Sequence, residues 1–113
     1  MHTDTREIPF MLIARRLKAL ADPTRLAILH SLCKGEMNVT ELVEDTGFNQ
    51  ANVSKHLRIL REEGLVTPRR EQRRIFYTLS SGLSREVCDL ICRSLESKAS
   101  SERKILNTYW RER

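Results

Sequence analysis

The stretch Asn49-Gln50-Ala51-Asn52-Val53-Ser54-Lys55-His56-Leu57-Arg58-Ile59-Leu60-Arg61-Glu62-Glu63-Gly64 decides how this chain reads. Val53, Leu57 and Leu60 recur at i, i+4 and i+7, which places them on one stripe of a helix of roughly four turns. Ala51, Lys55 and Arg58 fall on the opposite side, with Asn52, Ser54 and Arg61 towards the flanks. Asn49 is a good N-cap, because its side-chain oxygen accepts from an orphan N–H of the first turn. Phe48 and Val53 have the spacing of a hydrophobic staple, and Gly64 suits the left-handed position that ends a helix. Gln50, Asn52, Ser54 and Lys55 crowd the start of this helix. Side chains of that kind reach base edges when a helix enters the major groove by its N-terminal end. The plain alternative is a solvated face, so the surroundings decide.

Upstream, Asn38 and Glu41 have the spacing of a capping box and Met37 with Leu42 that of a staple, which predicts a short helix over Val39 to Thr46. Gly47-Phe48-Asn49 then joins it to the long helix. Two helices joined by a three-residue turn opening on Gly form a helix-turn-helix, here spanning 38–64. Two more helices are expected before it. One covers residues 7–20, with Pro9 in its opening turn and Ile13, Leu17 and Leu20 as its apolar stripe. The other opens on Asp22-Pro23 as cap and first helical residue, runs to about Lys34, and carries Leu26, Leu29 and Cys33 on one face before Gly35 ends it.

After Gly64 the pattern switches to strand, over 65–79. Leu65-Val66-Thr67 leads into Pro68-Arg69-Arg70-Glu71-Gln72-Arg73-Arg74, and Ile75, Tyr77 and Leu79 share one face on the return. Pro68 confines the first strand to an edge. The connection carries four arginines within six residues, Arg69, Arg70, Arg73 and Arg74. A charge run is usually a solvated turn. An arginine-loaded hairpin beside a helix-turn-helix is better explained by contact with phosphates or a minor groove. A last helix is expected from about Arg85 within 83–110, with Val87, Leu90, Ile91, Ser94 and Leu95 as its main apolar face and Cys88 and Cys92 beside it. A polar break over 97–101 follows, then Ile105, Leu106, Tyr109 and Trp110 at helical spacing. Aromatic residues there, with no core left to fill, point to a second subunit.

At 113 residues the chain reads as one domain, mainly α with a small β-hairpin. Its 40% hydrophobic content supports a small core but falls short of what a lone domain of this size needs, which partnering would supply. Lys plus Arg outnumber Asp plus Glu by 20 to 15, a modest bias towards polyanions. No apolar run reaches about 18 residues, and the N-terminus lacks the apolar core of a signal peptide, so no membrane role and a cytoplasmic location are expected. There the three cysteines, Cys33, Cys88 and Cys92, would stay mostly reduced. His2, His30 and His56 assemble no acid–base or nucleophile–base group, which argues against an enzyme. His56 flanks the apolar face of the long helix as a structural or phosphate-contacting residue.

Leu17-Lys18-Ala19-Leu20-Ala21-Asp22-Pro23-Thr24-Arg25-Leu26-Ala27-Ile28-Leu29, then Val53-Ser54-Lys55-His56-Leu57-Arg58-Ile59-Leu60-Arg61-Glu62-Glu63-Gly64-Leu65-Val66, with Tyr77-Thr78-Leu79 closing the hairpin, resemble the ArsR-type family of winged helix-turn-helix repressors. The likeness covers roughly residues 8–95. It implies a homodimer built on the first and last helices, bound to a palindromic double-stranded DNA operator and released by an inducer. By the motif, bases would be met by Gln50, Ala51, Asn52, Ser54 and Lys55, with His56 and Arg58 beside them and Arg69, Arg70, Arg73 and Arg74 near phosphates. The family's arsenic and cadmium sensors carry Cys-x-Cys where this chain has Asn38 and Thr40. Its zinc sensors use Asp, His and Glu on a last helix that here has no histidine. Neither metal site is carried over. Cys88 and Cys92, at i and i+4, are left as candidate inducer-sensing thiols for arsenite or another soft metal, or for oxidation. The alternatives are cysteines that merely pack, and a regulator without a small-molecule sensor, controlled by a protein partner or by abundance.

Overall fold

The computed structural model describes residues 6–94 together with 104, 105 and 108. Two compact units divide the chain, Met1–Ser80 and Ser81–Arg113. In the first, the order is α1 (Ile8–Leu20), α2 (Pro23–Leu32), β1 (Met37–Asn38), α3 (Val39–Thr46), α4 (Gln50–Glu62), β2 (Val66–Glu71) and β3 (Arg74–Leu79); the second contains α5 (Leu83–Ser94). No helix among the described residues is long and apolar enough to cross a membrane.

The starts of α2, α3 and α4 follow from their caps, whereas Glu7 makes no side-chain cap bond at the start of α1. Asp22 accepts from the backbone N–H of Arg25 at 3.0 Å, and Pro23 takes the first helical place. Asn38 and Glu41 close the expected box from both sides, at 2.8 and 3.0 Å. Asn49 caps α4 through the N–H of Asn52 at 2.8 Å. At the far end of α4, Leu65 N–H donates to Leu60 O and Gly64 N–H to Arg61 O, with Gly64 at φ +71°. That pair of bonds is the Schellman ending, which satisfies two orphan carbonyls and turns the chain sharply into β2.

The core lies where α2, α3 and α4 meet. Ile28 and Leu29, Leu42, and Val53, Leu57 and Leu60 are all at most 1% exposed, so the stripe read from α4 is the stripe that is buried. The face expected of α2 needs correction. Ile28 and Leu32 are buried, whereas Leu26 and Cys33 are half-buried, and the helix stops at Leu32 rather than Lys34. Because α2 touches α1, α3, α4 and β3, it is buried around more than one side, and no single stripe describes it. The stripe of α1 is corrected as well: Leu20 is buried, but Ile13 and Leu17 are 53% and 50% exposed.

The sheet has three strands rather than two, in the order β1-β3-β2, all antiparallel. β1 is only two residues long, too short for a two-residue period to register. The segment from Pro68 to Arg74, expected as a loop, is mostly strand. Pro68 pairs with Tyr77 and Glu71 with Arg74, leaving Gln72 and Arg73 as the turn, Gln72 with φ +56°. Pro68 does sit on an edge strand, where its missing N–H costs no ladder bond. In the second unit α5 starts at Leu83, two residues earlier than expected. Leu106, Tyr109, Trp110 and the polar segment 97–101 lie outside the described residues.

Candidate nucleic-acid interface

The caps and the buried stripe fix which side of α4 faces out. With Val53, Leu57 and Leu60 turned into the core, Gln50, Ala51, Ser54, Lys55 and Arg58 are exposed, and Asn52 is half-buried. The side chains that can read a base edge therefore lie on the free side of the helix, next to its N-terminus, where the helix dipole also favours a phosphate. The hairpin of β2 and β3 flanks this side. Asn38, Thr40, Glu41, Glu44, Ser54, Arg73, Arg74 and Tyr77 are among the residues lining one cleft of about 700 Å³, which brings Ser54 of α4 and the end of the hairpin onto a common surface.

The wing arginines differ in their surroundings. Arg70, Arg73 and Arg74 are exposed and make no ion pair among the described residues. Arg69 is exposed too but engaged by partners within the protein: its guanidinium meets Glu36 at 2.6 and 2.9 Å and Glu71 at 3.1 Å, and lies 5.1 Å over the ring of Phe76. The Arg69 hydrogen bonds hold the Glu36 carboxyl below its ordinary range. Sequence reasoning missed these partners, since Glu36 is 33 residues from Arg69.

His56 is engaged within the protein as well. It is 8% exposed, and its Nδ1 lies 3.3 Å from Arg25 Nη1. Arg25 also donates to Ala19 O at 2.6 Å and Lys18 O at 3.2 Å, so one guanidinium joins the end of α1 to the middle of α4. That supports the structural of the two roles read for His56. A second tie runs from α1 to the end of α4, where Arg15 meets Glu63 at 3.0 Å.

Asn38 and Thr40 stand where Cys-x-Cys sensors would hold their metal, and Asn38 is spent on capping α3. Among the described residues no group of three or more His, Cys, Asp or Glu is placed to hold a metal ion. Cys88 and Cys33 are half-buried, Cys88 on α5 and Cys33 at the end of α2. Cys92 lies on α5 too, and its side chain falls outside what is described.

A short helix, a tight turn, a polar-faced helix and an arginine-bearing hairpin define a winged helix-turn-helix, a DNA-binding module. Residues 22–67 match the family model "Bacterial regulatory protein, arsR family". The chain is 42% identical over 77 residues to the transcriptional activator HlyU of Vibrio cholerae, covering 68% of this chain and 71% of that protein. It is 40% identical over 78 residues to the "Probable mercury resistance operon repressor" of Streptomyces lividans, 69% of this chain and 60% of the relative. A homodimeric winged helix-turn-helix DNA-binding domain from Mycobacterium bovis superposes with a TM-score of 0.71 at 30% identity, covering 88% of this chain and 94% of that one. The chain belongs to the arsR family of bacterial regulatory proteins. It is a DNA-binding transcriptional regulator and not an enzyme.

Proposed function

We propose that this regulator works as a homodimer joined through α1 and the C-terminal helix, on a palindromic operator, from which an inducer releases it. The observation that carries this reading is that Ser54, on the exposed polar side of α4, lines the same cleft as Arg73 and Arg74. Gln50, Ala51, Asn52, Ser54 and Lys55 would enter the major groove, with Arg58 beside them, while Arg70, Arg73 and Arg74 meet phosphates. A two-fold dimer sets its two α4 helices about 34–36 Å apart, one turn of DNA. The dimeric M. bovis domain supports the assembly, and relatives are named both repressor and activator.

Binding to duplex DNA should weaken roughly 10³–10⁵-fold between 50 and 200 mM salt, as counterions return to the phosphates. Lys55→Ala should lose discrimination between operator and random duplex. Neutralising Arg73 and Arg74 together should weaken both about equally. Equal losses from both changes would contradict the assigned roles.

For the inducer, Cys88 and Cys92 are the proposed sensing thiols. They sit one helical turn apart, a spacing that suits a soft ion such as arsenite or an oxidised pair. A relative named for mercury resistance supports the metal arm. Serine at both positions should abolish release of operator DNA by arsenite, zinc, peroxide or persulfide; unchanged release would remove these thiols from the mechanism.

A further inference from the structure

The register of the sheet puts Arg69, Phe76 and Asn38 directly opposite one another across all three strands, Arg69↔Phe76 on one side of β3 and Asn38↔Phe76 on the other. Residues in register share a face, and so do residues two apart on a strand. Glu71 is therefore on that face by its distance from Arg69, and Glu36, just before β1, is brought to it by its contact with Arg69. The Arg69 side chain starts from the outer strand, crosses the Phe76 ring at 5.1 Å and ends on Glu36, just before the opposite edge strand. Together the Arg69 and Glu36 side chains bridge from the outer strand past β3. The contact is bidentate, the geometry for which a guanidinium is pre-shaped. One positive and two negative charges leave this cluster with a net −1. A phosphate approaching Arg69 meets two carboxylates already in place, unlike one approaching Arg70, Arg73 or Arg74.

We infer that Arg69 is a positioning residue rather than a phosphate contact: a strap across the sheet that ties the wing to the turn before β1 and sets the angle at which the other wing arginines meet DNA. The inference rests on the wing's role proposed above. A hairpin held at its working angle before binding loses less freedom on the duplex, so the strap acts through preorganisation.

The test uses the full chain with operator titrations across a range of salt. Arg74→Gln should flatten the slope of log affinity against log salt by about 0.9 per protomer, the signature of one lost phosphate contact. Arg69→Gln should leave the slope unchanged while weakening operator binding roughly threefold to tenfold at fixed salt. Arg69→Lys should recover part of that loss, because an ammonium keeps one contact with Glu36 but not the fork. Replacing Glu36 and Glu71 together by Gln should steepen the slope by about 0.9, as a freed Arg69 becomes available to the backbone. A flattening by Arg69→Gln equal to that of Arg74→Gln would overturn the inference. A second readout needs no DNA. By NMR, the Glu36 carboxyl should titrate below its ordinary value, return to it in Arg69→Gln, and be accompanied there by faster amide exchange along β2. Failure of all variants and the parent to bind duplex would sink the proposed function alone; an unmoved Glu36 and unmoved amides would sink the strap.

Discussion

Asp22 shows how much one side chain decides. Its carboxylate caps α2 by accepting from the Arg25 N–H, and the Arg25 side chain then reaches back to two carbonyls at the end of α1 and across to His56. The backbone hydrogen bond from Arg25 is the main cause holding the Asp22 carboxyl below its usual value, with the Arg25 charge adding to it. A carboxyl depressed in the folded state stabilises the fold above its unfolded midpoint, about pH 3.9, and loses that contribution as pH falls through the folded one. Asp22→Asn separates charge from cap, since Asn caps as well as Asp. It should cost about 0.3–1 kcal/mol at pH 7, the worth of a negative charge at a helix N-terminus. In urea unfolding the gap should narrow as pH falls below the unfolded midpoint and through the lower folded one, where the carboxyl is protonated in both states. A gap of unchanged size there would mean that the charge is not the source. Asp22-Pro23 was legible in the sequence as a helix start. The use of Arg25 was not, because its acceptors are backbone carbonyls and a histidine 31 residues away, which no local pattern announces.

At the level of elements, the sequence spoke clearly wherever one side of an element is dry and the other wet. The α4 helix meets that condition: its apolar spacing, Asn49 cap and Gly64 ending are all found in the fold. The α3 capping box was equally readable. Where an element is surrounded, as α2 is, periodicity carries little information, and Ile28 and Leu32 went unnoticed as core residues. The wing strands were drawn too short for a related reason. Arg69, Arg70 and Glu71 bury nothing, so no alternation marks them as strand, and backbone pairing with Phe76, Ile75 and Arg74 alone makes them so. The exposed residues of the candidate interface were predicted from the same helix wheel that gave the core. The partners of His56 and Arg69 within the protein were not legible, because Arg25 and Glu36 lie far from them in sequence.

On the scale of the whole molecule, the unfinished business is α1. Phe10 is 72% exposed and Met11, Leu12 and Ile13 each more than half exposed, four successive apolar side chains left bare on α1 in a solitary chain. The modest apolar content visible in the composition is consistent with a core completed by a second copy. Substituting Ile13 by Glu should place a charge in that contact while leaving the core of α2, α3 and α4 intact. Sedimentation should then show the mass of one chain at concentrations where the parent has the mass of two, with far-UV circular dichroism unchanged. Operator affinity should fall by roughly 10²–10⁴, because two half-sites can no longer be held by one particle. An Ile13→Glu protein of dimeric mass would move the interface elsewhere.

Pro68 has a bearing on behaviour in a crowd. β2 is an edge strand, so the hairpin leaves one rim of backbone unpaired and open to another molecule. An open rim of backbone donors is a template for zipping one copy to the next into an insoluble ribbon. On β2 that rim is interrupted by a residue with no amide hydrogen and followed by Arg69, Arg70 and Glu71, whose charges resist being sandwiched. The same projecting rim can thus be presented to a polyanion at high local density without turning each molecule into a seed for the next.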